Sequence, residues 1–278
     1  MEELALEQKE LINLNLSDLL NLQVTSVSKK AQKISKAASA IFVITHQDIK
    51  NSGVTSIPEA LRMAPGIDVA RIDGNKWAIS ARGFNSRFSN KLLVLIDGRS
   101  VYTPFFSGVN WDVQDTLLED IDRIEVIRGP GATLWGSNAV NGVINIITKK
   151  ADQTQDGYLM AGGGSKERVF GGGRYGGKIN DSTHYRVYGK YFERESNVDL
   201  NNQDANDQWQ MERGGFRLDT SASSSDDITV QGDIYKGLLR YTVNQMQFVA
   251  PFNTTVATDA KLTGGNILLR WNKQLAKN

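Results

Sequence analysis

The sequence of 278 residues contains no cysteine and only two histidines, His46 and His184. The absence of cysteine excludes disulfides, thiolate nucleophiles and cysteine-based zinc sites. A site built from several histidines is nearly excluded as well, because His46 is expected on the surface of a helix and His184 lies alone on a strand. We therefore predict neither a metal nor a cofactor.

The sequence also lacks an excess of one charge and a long apolar run. Lys and Arg number 32 against 31 for Asp and Glu, so the charge balance gives no reason to expect a nucleic acid partner. No stretch approaches the ~18 apolar residues of a membrane-spanning helix. The N-terminus, Met1-Glu2-Glu3, is acidic and has no secretory signal. Either the chain is cytoplasmic, or a signal peptide was removed before residue 1, which the motifs described below favour.

A recognisable catalytic arrangement is missing too. The carboxylates are scattered, and no Ser, His and Asp residues have the spacing of a catalytic triad. The segment 171–176 fits G-x-G-x-x-G, and the segment 172–178 fits part of a phosphate-binding loop. Both motifs need a helix directly after the loop, whereas a strand is predicted to continue there. The sequence thus predicts no enzyme activity and no nucleotide site.

Residues 41–150 have an α+β pattern. Strands are predicted at 41–45, 67–72, 77–82, 92–96, 124–128 and 143–148, with a two-residue turn at 73–74 and a short helix at 113–119. Two further helices are predicted from capping boxes, in which Thr45 precedes Asp48 and Ser56 precedes Glu59 by three residues.

Residues 151–278 have a different pattern, in which apolar and polar residues alternate. At 184–192, Tyr185, Val187 and Tyr191 share one face of a predicted strand, while Arg186 and Lys190 share the other. Such alternation over about six strands is typical of an outer-membrane β-barrel and also of a soluble β-sandwich. The periodicity alone leaves both open, and the ionic residues on the polar faces favour the barrel.

Six ordered motifs lie within the α+β region. They are FVITHQDI (42–49), LRMAPGI (61–67), SARGFN (80–85), VLIDGR (94–99), IDRIEVIRGPG (121–131) and NGVINIIT (141–148). With these motifs the region closely resembles the plug domain of TonB-dependent outer-membrane receptors. The resemblance implies an N-terminal extension at 1–40, an α+β plug domain at 41–150, and the first antiparallel strands of a transmembrane β-barrel at 151–278.

The resemblance also implies that the barrel in this chain is incomplete. Barrels of the family have about 22 strands around the plug, whereas about six strands are expected here. An open sheet in lipid would leave backbone N–H and C=O groups unpaired along its edges. We therefore interpret the chain as a fragment of a receptor.

The function implied by the resemblance is active uptake across the outer membrane of a Gram-negative bacterium. The expected ligand is a scarce nutrient such as an iron–siderophore complex, haem or cobalamin. The expected partners are outer-membrane lipid, this small ligand, and the TonB protein with its inner-membrane energising complex, which reaches the plug from the periplasm. The alternative is a secreted or surface β-rich binding protein without transport activity.

Three groups of site residues follow from the resemblance. The candidate TonB box, which would add as a strand to TonB, consists of Leu22, Gln23, Val24, Thr25, Ser26, Val27 and Ser28. Arg82 and Arg128 match plug arginines that the family pairs with glutamates of the barrel wall, the alternative being surface arginines beside turns. The candidate ligand loops contain Asn85, Arg87, Phe88, Tyr102, Phe105, Phe106 and Trp111, with packing against the barrel as the alternative role for their aromatic residues.

Overall fold

The computed structural model describes residues 23–24, 32–33, 40–83, 85–199 and 201–275. The strands are β1 (Gln23–Val24), β2 (Gln32–Lys33), β3 (Ala40–Thr45), β4 (Ile67–Arg71), β5 (Trp77–Ala81), β6 (Leu92–Ile96), β7 (Arg99–Ser100), β8 (Tyr102–Thr103), β9 (Gly108–Val109), β10 (Ile121–Arg128), β11 (Gly142–Thr148), β12 (Asp156–Gly162), β13 (Glu167–Asn180), β14 (Thr183–Arg194), β15 (Trp209–Ser221), β16 (Asp226–Met246) and β17 (Asn253–Lys273). The helices are α1 (His46–Ser52), α2 (Ile57–Ala60) and α3 (Ala132–Trp135), and 3-10 turns lie at Leu61–Met63, Trp111–Val113, Leu118–Asp120 and Ala151–Gln153. No helix among these described elements is long and apolar enough to cross a membrane.

A mixed sheet of five strands, in the order β3-β10-β11-β6-β7, organises residues 40–150, which we call the N-terminal unit. Strand β10 pairs antiparallel with β3 and β11, while β11 runs parallel to β6. The central strands bury β-branched side chains completely, including Ile124, Val126, Ile144 and Ile146. Burying one such side chain contributes about 1.5–3 kcal/mol, so these strands form the core from which the loops project.

Helix α1 begins and ends as the sequence predicts. The Thr45 hydroxyl accepts a hydrogen bond from Asp48 N at 3.2 Å, and the Asp48 carboxylate accepts one from Thr45 N at 2.9 Å. This capping box satisfies two backbone donors at the helix start. The helix ends at Gly53, whose φ of 69° is left-handed and suits glycine.

Two expectations about helices are wrong. Ser56 forms no capping hydrogen bond, and the Glu59 carboxylate, instead of reaching back to it, accepts hydrogen bonds from Arg62 and Trp77. Residues 113–119 do not form a helix; two 3-10 turns flank a segment in which Gln114 and Leu117 are extended. Carbonyls of this segment accept hydrogen bonds from Lys190 and Arg213 in the second half of the chain, which prevents the helix.

Strands β4 and β5 form an antiparallel hairpin, which confirms the strands predicted there. The connection is longer than the predicted two-residue turn. It spans residues 72–76 and is closed by a hydrogen bond from Ile72 N to Lys76 O at 2.8 Å. The turn at 72–76 therefore projects beyond the last paired residues of the hairpin.

The six strands from β12 to β17 form one antiparallel sheet in sequential order, the six-stranded sheet. This confirms the predicted number of strands and their antiparallel arrangement. Within the described residues, β12 and β17 each pair with one neighbour, so the sheet is not closed. Strands β16 and β17 have 21 residues each and extend past the others.

The two faces of the six-stranded sheet differ in polarity, as the alternation predicts. Val187 and Tyr191 are exposed on one face, while Arg186 and Lys190 are buried on the other. The exposed face also carries large apolar residues of the neighbouring strands: Leu159, Phe216, Ile234, Ile267, Leu269 and Trp271. The buried face packs against the N-terminal unit, where the rings of Trp77 and Trp209 meet edge to face at 5.4 Å.

Candidate functional site

The candidate site is the polar interface between the N-terminal unit and the six-stranded sheet. A cationic row lines the buried face of the sheet: Arg174, Arg186, Lys190, Arg194, Arg213, Arg217 and Arg270. The first six of these side chains are at most 10% exposed. Since charged groups are buried only when paired, the carboxylates that face this row decide how the two parts are held together.

The strand register places some of these cations next to each other. Arg186 on β14 is the direct partner of Arg217 on β15, and Lys190 is the direct partner of Arg213. Like charges at directly opposed positions destabilise a sheet. The N-terminal unit supplies the negative charges that offset this repulsion, namely Asp97, Asp115 and Asp120.

Asp120, at the end of the second 3-10 turn before β10, is completely buried between two arginines. Its carboxylate accepts a hydrogen bond from Arg174 and lies 3.6 Å from Nε of Arg186. Arg186 also donates to the carbonyl of Lys149 at 2.7 Å and to the hydroxyl of Thr148 at 3.0 Å. A single carboxylate of the N-terminal unit therefore connects this unit to strands β13 and β14.

Asp97 occupies the tight turn between β6 and β7 and contacts three strands of the six-stranded sheet. Its backbone φ of 48° is left-handed. The carboxylate accepts a hydrogen bond from Gln231 at 2.9 Å and lies 3.9 Å from Arg217, while its carbonyl accepts one from Arg270. These contacts explain why a short polar residue with an unusual backbone conformation occupies this turn.

The segment 111–120 contains residues 113–119, for which a helix was wrongly predicted. Lys190 forms an ion pair with Asp115 at 2.7 Å and donates to the carbonyl of Thr116 at 3.0 Å. Arg213 donates to the carbonyl of Val113. Because these carbonyls point at cations of the sheet, they are not available for the hydrogen bonds of a helix.

A second contact joins the turn at 72–76 to the long loop at 195–208. Asp207 accepts a hydrogen bond from Gly74 N at 2.6 Å, and Asn75 donates to the carbonyl of Asp207 at 3.2 Å and to that of Arg240 at 3.1 Å. Asn75 is completely buried and Asp207 nearly so. A Cβ on Gly74 would lie 2.2 Å from the carbonyl oxygen of Asp207, so this approach requires glycine.

The Asp207 carboxylate is held in its charged form by this contact. Burial on its own would raise its pKa, but hydrogen bonds from the backbone and side chain of Asn197, from Gly74 N and from the Ser196 hydroxyl outweigh that effect. The pKa of Asp207 is therefore below its ordinary value of 3.8. The loop at 195–208 and the turn at 72–76 share one ionised carboxylate.

The structure brings the two predicted arginines together. Arg82, with a left-handed φ of 62°, donates to the carbonyl of Arg128 at 3.4 Å. The Arg128 side chain covers Gly66, and its Nε is buried without a hydrogen-bond partner among the described residues. Within that part of the chain neither arginine forms an ion pair, so their pairing with wall glutamates stays a prediction.

The predicted ligand loops are brought together in part. The rings of Phe88 and Phe106 lie 5.1 Å apart, and the Arg87 guanidinium lies 5.2 Å from the Phe106 ring. Phe105 is fully exposed, whereas Trp111 is buried in the core. Of the other two members, Asn85 is exposed and Tyr102 is half-buried.

The candidate TonB box lies mostly outside the described residues. The residues of the box that lie outside the described part of the chain are Leu22, Thr25, Ser26, Val27 and Ser28, whereas Gln23 and Val24 form β1. Strand β1 pairs antiparallel with β2, with Val24 opposite Gln32. Val24 is completely buried.

His46 differs from the solvated residue that the sequence predicts. Its ring nitrogens lie 3.0 Å from the carbonyl of Ile121, 3.2 Å from the Lys149 amine and 3.3 Å from the Glu119 carboxylate. These contacts fix the start of α1 against the 118–121 segment. No group of three or more metal-ligating side chains occurs in the described part of the chain.

The buried ion pairs are the functional residues that the sequence reasoning missed. Alternation placed Arg186 and Lys190 on a polar face, which was the available signal. The alternating pattern did not indicate the carboxylates that pair with these cations, because the partners are distant in the chain. Asp120 and Arg174, for example, are separated by 54 positions.

Comparisons with known proteins agree with this architecture. Residues 33–143 match the model of the TonB-dependent receptor plug domain. The vitamin B12 transporter BtuB of Vibrio vulnificus is 26% identical over 264 residues, covering 92% of this chain and 42% of the relative. An iron-regulated outer membrane virulence protein of Vibrio cholerae is 33% identical over 184 residues, covering 62% of this chain and 28% of the relative. The chain thus spans less than half the length of these relatives.

Two solved structures share the fold. The ferripyoverdine receptor of the outer membrane of Pseudomonas aeruginosa superimposes with a TM-score of 0.63 at 18% identity, covering 88% of this chain and 34% of the receptor. The ferric yersiniabactin uptake receptor FyuA of Yersinia pestis gives a TM-score of 0.57 at 20% identity, covering 73% of this chain and 32% of that receptor. The arrangement of an α+β unit against antiparallel strands is therefore that of these receptors.

Proposed function

We propose that this chain, whose residues 33–143 match the TonB-dependent receptor plug domain, is part of an outer-membrane receptor that takes up a scarce nutrient by active transport. The N-terminal unit is the plug, and the six-stranded sheet is the first part of the barrel wall. The whole receptor would bind its ligand outside the cell and release it into the periplasm.

One observation carries this proposal, namely the opposite character of the two faces of the six-stranded sheet. One face exposes large apolar residues such as Ile234, Ile267 and Trp271, and a soluble protein seldom leaves a patch of that size uncovered. The other face holds a cationic row that is neutralised in part by carboxylates of the plug and in part by carboxylates of the sheet itself. An apolar band towards lipid and a polar interior are the two features that a transmembrane barrel requires.

The ligand class follows from the relatives and from the exposed loops. The relatives include a vitamin B12 transporter and receptors for ferric siderophores. We infer an iron chelate, haem or cobalamin as the ligand. The cluster of Arg87, Phe88 and Phe106, together with the exposed Phe105, offers flat aromatic surface and one positive charge to such a ligand.

The energy for transport would come from TonB. Residues 22–28 are the proposed TonB box, which would add as a strand to the sheet of TonB, so that main-chain hydrogen bonds transmit the pull. Arg82 and Arg128 are proposed to lock the plug to wall glutamates outside the described residues. A desolvated arginine is costly to leave without its partner, and such a pair would keep the plug seated until it is pulled.

Fractionation and uptake test the proposal. The gene that encodes this chain, with its natural flanking sequence, is expressed in a Gram-negative host that lacks its own cobalamin and siderophore receptors. We expect the protein in the detergent-solubilised outer membrane and TonB-dependent accumulation of labelled cobalamin or of a ferric siderophore. Recovery of the protein in the soluble or secreted fraction would instead support a β-rich binding protein without transport activity and would contradict the proposal.

A further inference from the structure

The geometry points to a second use of the cationic row, and this inference rests on the proposed function. We propose that Arg174, Arg186 and Lys190 form an anion-selective stripe on the wall, covered by the plug at rest and uncovered when the plug moves. The ligand that passes along it would be anionic, such as a chelate with free carboxylates or a phosphate-bearing molecule.

These three cations differ from Arg194, Arg213 and Arg217 in their carboxylate partners. Within the described part of the chain, Arg213 has Asp233, Arg217 has Asp219 and Arg194 has Glu167, and all these carboxylates are on the sheet itself. Arg174 and Arg186 instead pair with Asp120, and Lys190 pairs with Asp115. Movement of the plug therefore removes the negative charge from the stripe but leaves the other three pairs intact.

Arg174 lies between the other two cations of the stripe. Arg186 and Lys190 are two positions on either side of Tyr188 on β14, and Arg174 on β13 is the direct partner of Tyr188. Side chains two positions apart on a strand are about 7 Å apart, and direct partners are about 5 Å apart. Arg186 and Lys190, four positions apart, are about 13 Å from each other, and Arg174 lies between them, so the three positive charges form one row along which an anion can pass.

A plug seat alone does not require this arrangement. At Arg213 the sheet contacts the plug through the carbonyl of Val113, while Asp233 of the sheet itself neutralises the charge. Arg186 instead lies opposite Arg217 and, within the described residues, has no carboxylate partner on the sheet. A cleft lined by one sign of charge concentrates ions of the opposite sign. The unneutralised stripe accordingly gives an opened wall a preference for anions.

Conductance through the full-length receptor tests the inference. The receptor is inserted into a planar lipid bilayer, and urea is added to loosen the plug while the barrel stays in the membrane. The reversal potential is then measured in a gradient of potassium chloride, with chloride as the anionic probe. We expect chloride to be more permeant than potassium, and we expect Arg186→Gln and Lys190→Gln each to lower the chloride-to-potassium permeability ratio, the double variant by up to about tenfold at low ionic strength.

Lys236→Gln provides the matched control. Lys236 also lies on the six-stranded sheet, but its side chain is 73% exposed and pairs with Glu212 away from the plug. This variant should leave the permeability ratio unchanged. Correct folding of each variant is checked by the resistance of the barrel to detergent at room temperature.

The outcomes separate the inference from the proposed function. A pore whose permeability ratio is the same in Arg186→Gln, Lys190→Gln and the unaltered receptor would show that these cations only seat the plug, and the inference would be overturned. A receptor that inserts but opens no pore at any urea concentration would contradict both the stripe and a transport path. A pore that responds to Lys236→Gln as strongly as to Lys190→Gln would also overturn the inference, since position on the wall would then not matter.

Discussion

Replacement of Asp120 by alanine should weaken the seating of the plug more than any surface substitution in the same region. The Asp120 carboxylate is completely buried, and Arg174 and Arg186 have no other carboxylate partner within the described residues. Asp120→Ala therefore leaves two buried guanidinium groups without their negative counterpart.

The size of the effect follows from the cost of an unpaired buried charge. Removal of one partner of a buried ion pair typically costs about 3–5 kcal/mol. The ratio of seated to displaced plug should then fall by between about a hundredfold and a few thousandfold. Asp120→Asn keeps the shape and one acceptor, so its effect should be smaller, because Arg174 can still donate a hydrogen bond.

The measurement uses the full receptor in the outer membrane of living cells. A displaced plug opens a path for large antibiotics that the outer membrane normally excludes, so sensitivity to vancomycin should increase. In parallel, limited proteolysis from the periplasmic side should cleave the N-terminal unit faster, because cleavage follows the population of the displaced state.

Asp122→Ala is the matched control for this prediction. Asp122 is two residues away, but its side chain is 37% exposed and pairs with Arg123 of the same unit. Such exposed pairs contribute about 0–1 kcal/mol. If Asp120→Ala leaves antibiotic sensitivity and proteolysis at the level of Asp122→Ala, the buried ion pairs do not hold the plug and the reasoning fails.

Three further predictions concern the loop contact and the coupling segment. Gly74→Ala should separate the turn at 72–76 from the loop and increase protease cleavage at 195–208, whereas Gly157→Ala, where a Cβ meets nothing within 4 Å, should not. Because the pKa of Asp207 in the folded protein is below 3.8, the stabilisation of the loop by this carboxylate is present above pH 3.8 and is lost as the pH falls through the folded-state pKa. Protease cleavage of the loop should therefore rise on acidification, and Asp207→Asn should remove this pH dependence. Val24→Pro and Val27→Pro should each abolish uptake and leave ligand binding intact, since proline removes a backbone donor from the added strand; uptake that survives both changes would place the coupling segment elsewhere.

Local features were predictable from the sequence. The capping box at Thr45 depends on residues three positions apart, and the two faces of β14 depend on a period of two. Both lie within a few residues and need no knowledge of the tertiary structure. The strand predictions and the number of strands in the second sheet were correct for the same reason.

Features that depend on distant partners were not predictable. Gln114 and Leu117 looked helical until the carbonyls of their neighbours were seen to bind Arg213 and Lys190. Glu59 has the spacing of a capping-box residue, but its carboxylate accepts a hydrogen bond from Trp77, which lies on another element. In each case a contact between separate elements overrode a local preference.

The sequence predicted ion pairs between the plug and the wall, but it did not predict which residues form them. The family pattern directed attention to plug arginines, whereas the contacts in the described part of the chain have the opposite polarity, with aspartates on the plug and cations on the wall. Asp97, Asp115 and Asp120 were identifiable only once their contacts with the six-stranded sheet were known.

The position of β3 has a mechanical consequence. Among the residues that the structure describes, this strand is at the edge of the five-stranded sheet and pairs on one side only, from Ala40 opposite Arg128 to Thr45 opposite Arg123. A load applied at Ala40 across the strand would break its hydrogen bonds to β10 one after another, so that β3 would separate while β10, β11 and β6 remain assembled. A pull on the N-terminal side of the plug would thus separate the edge strand β3 before it disturbs the central strands of the sheet.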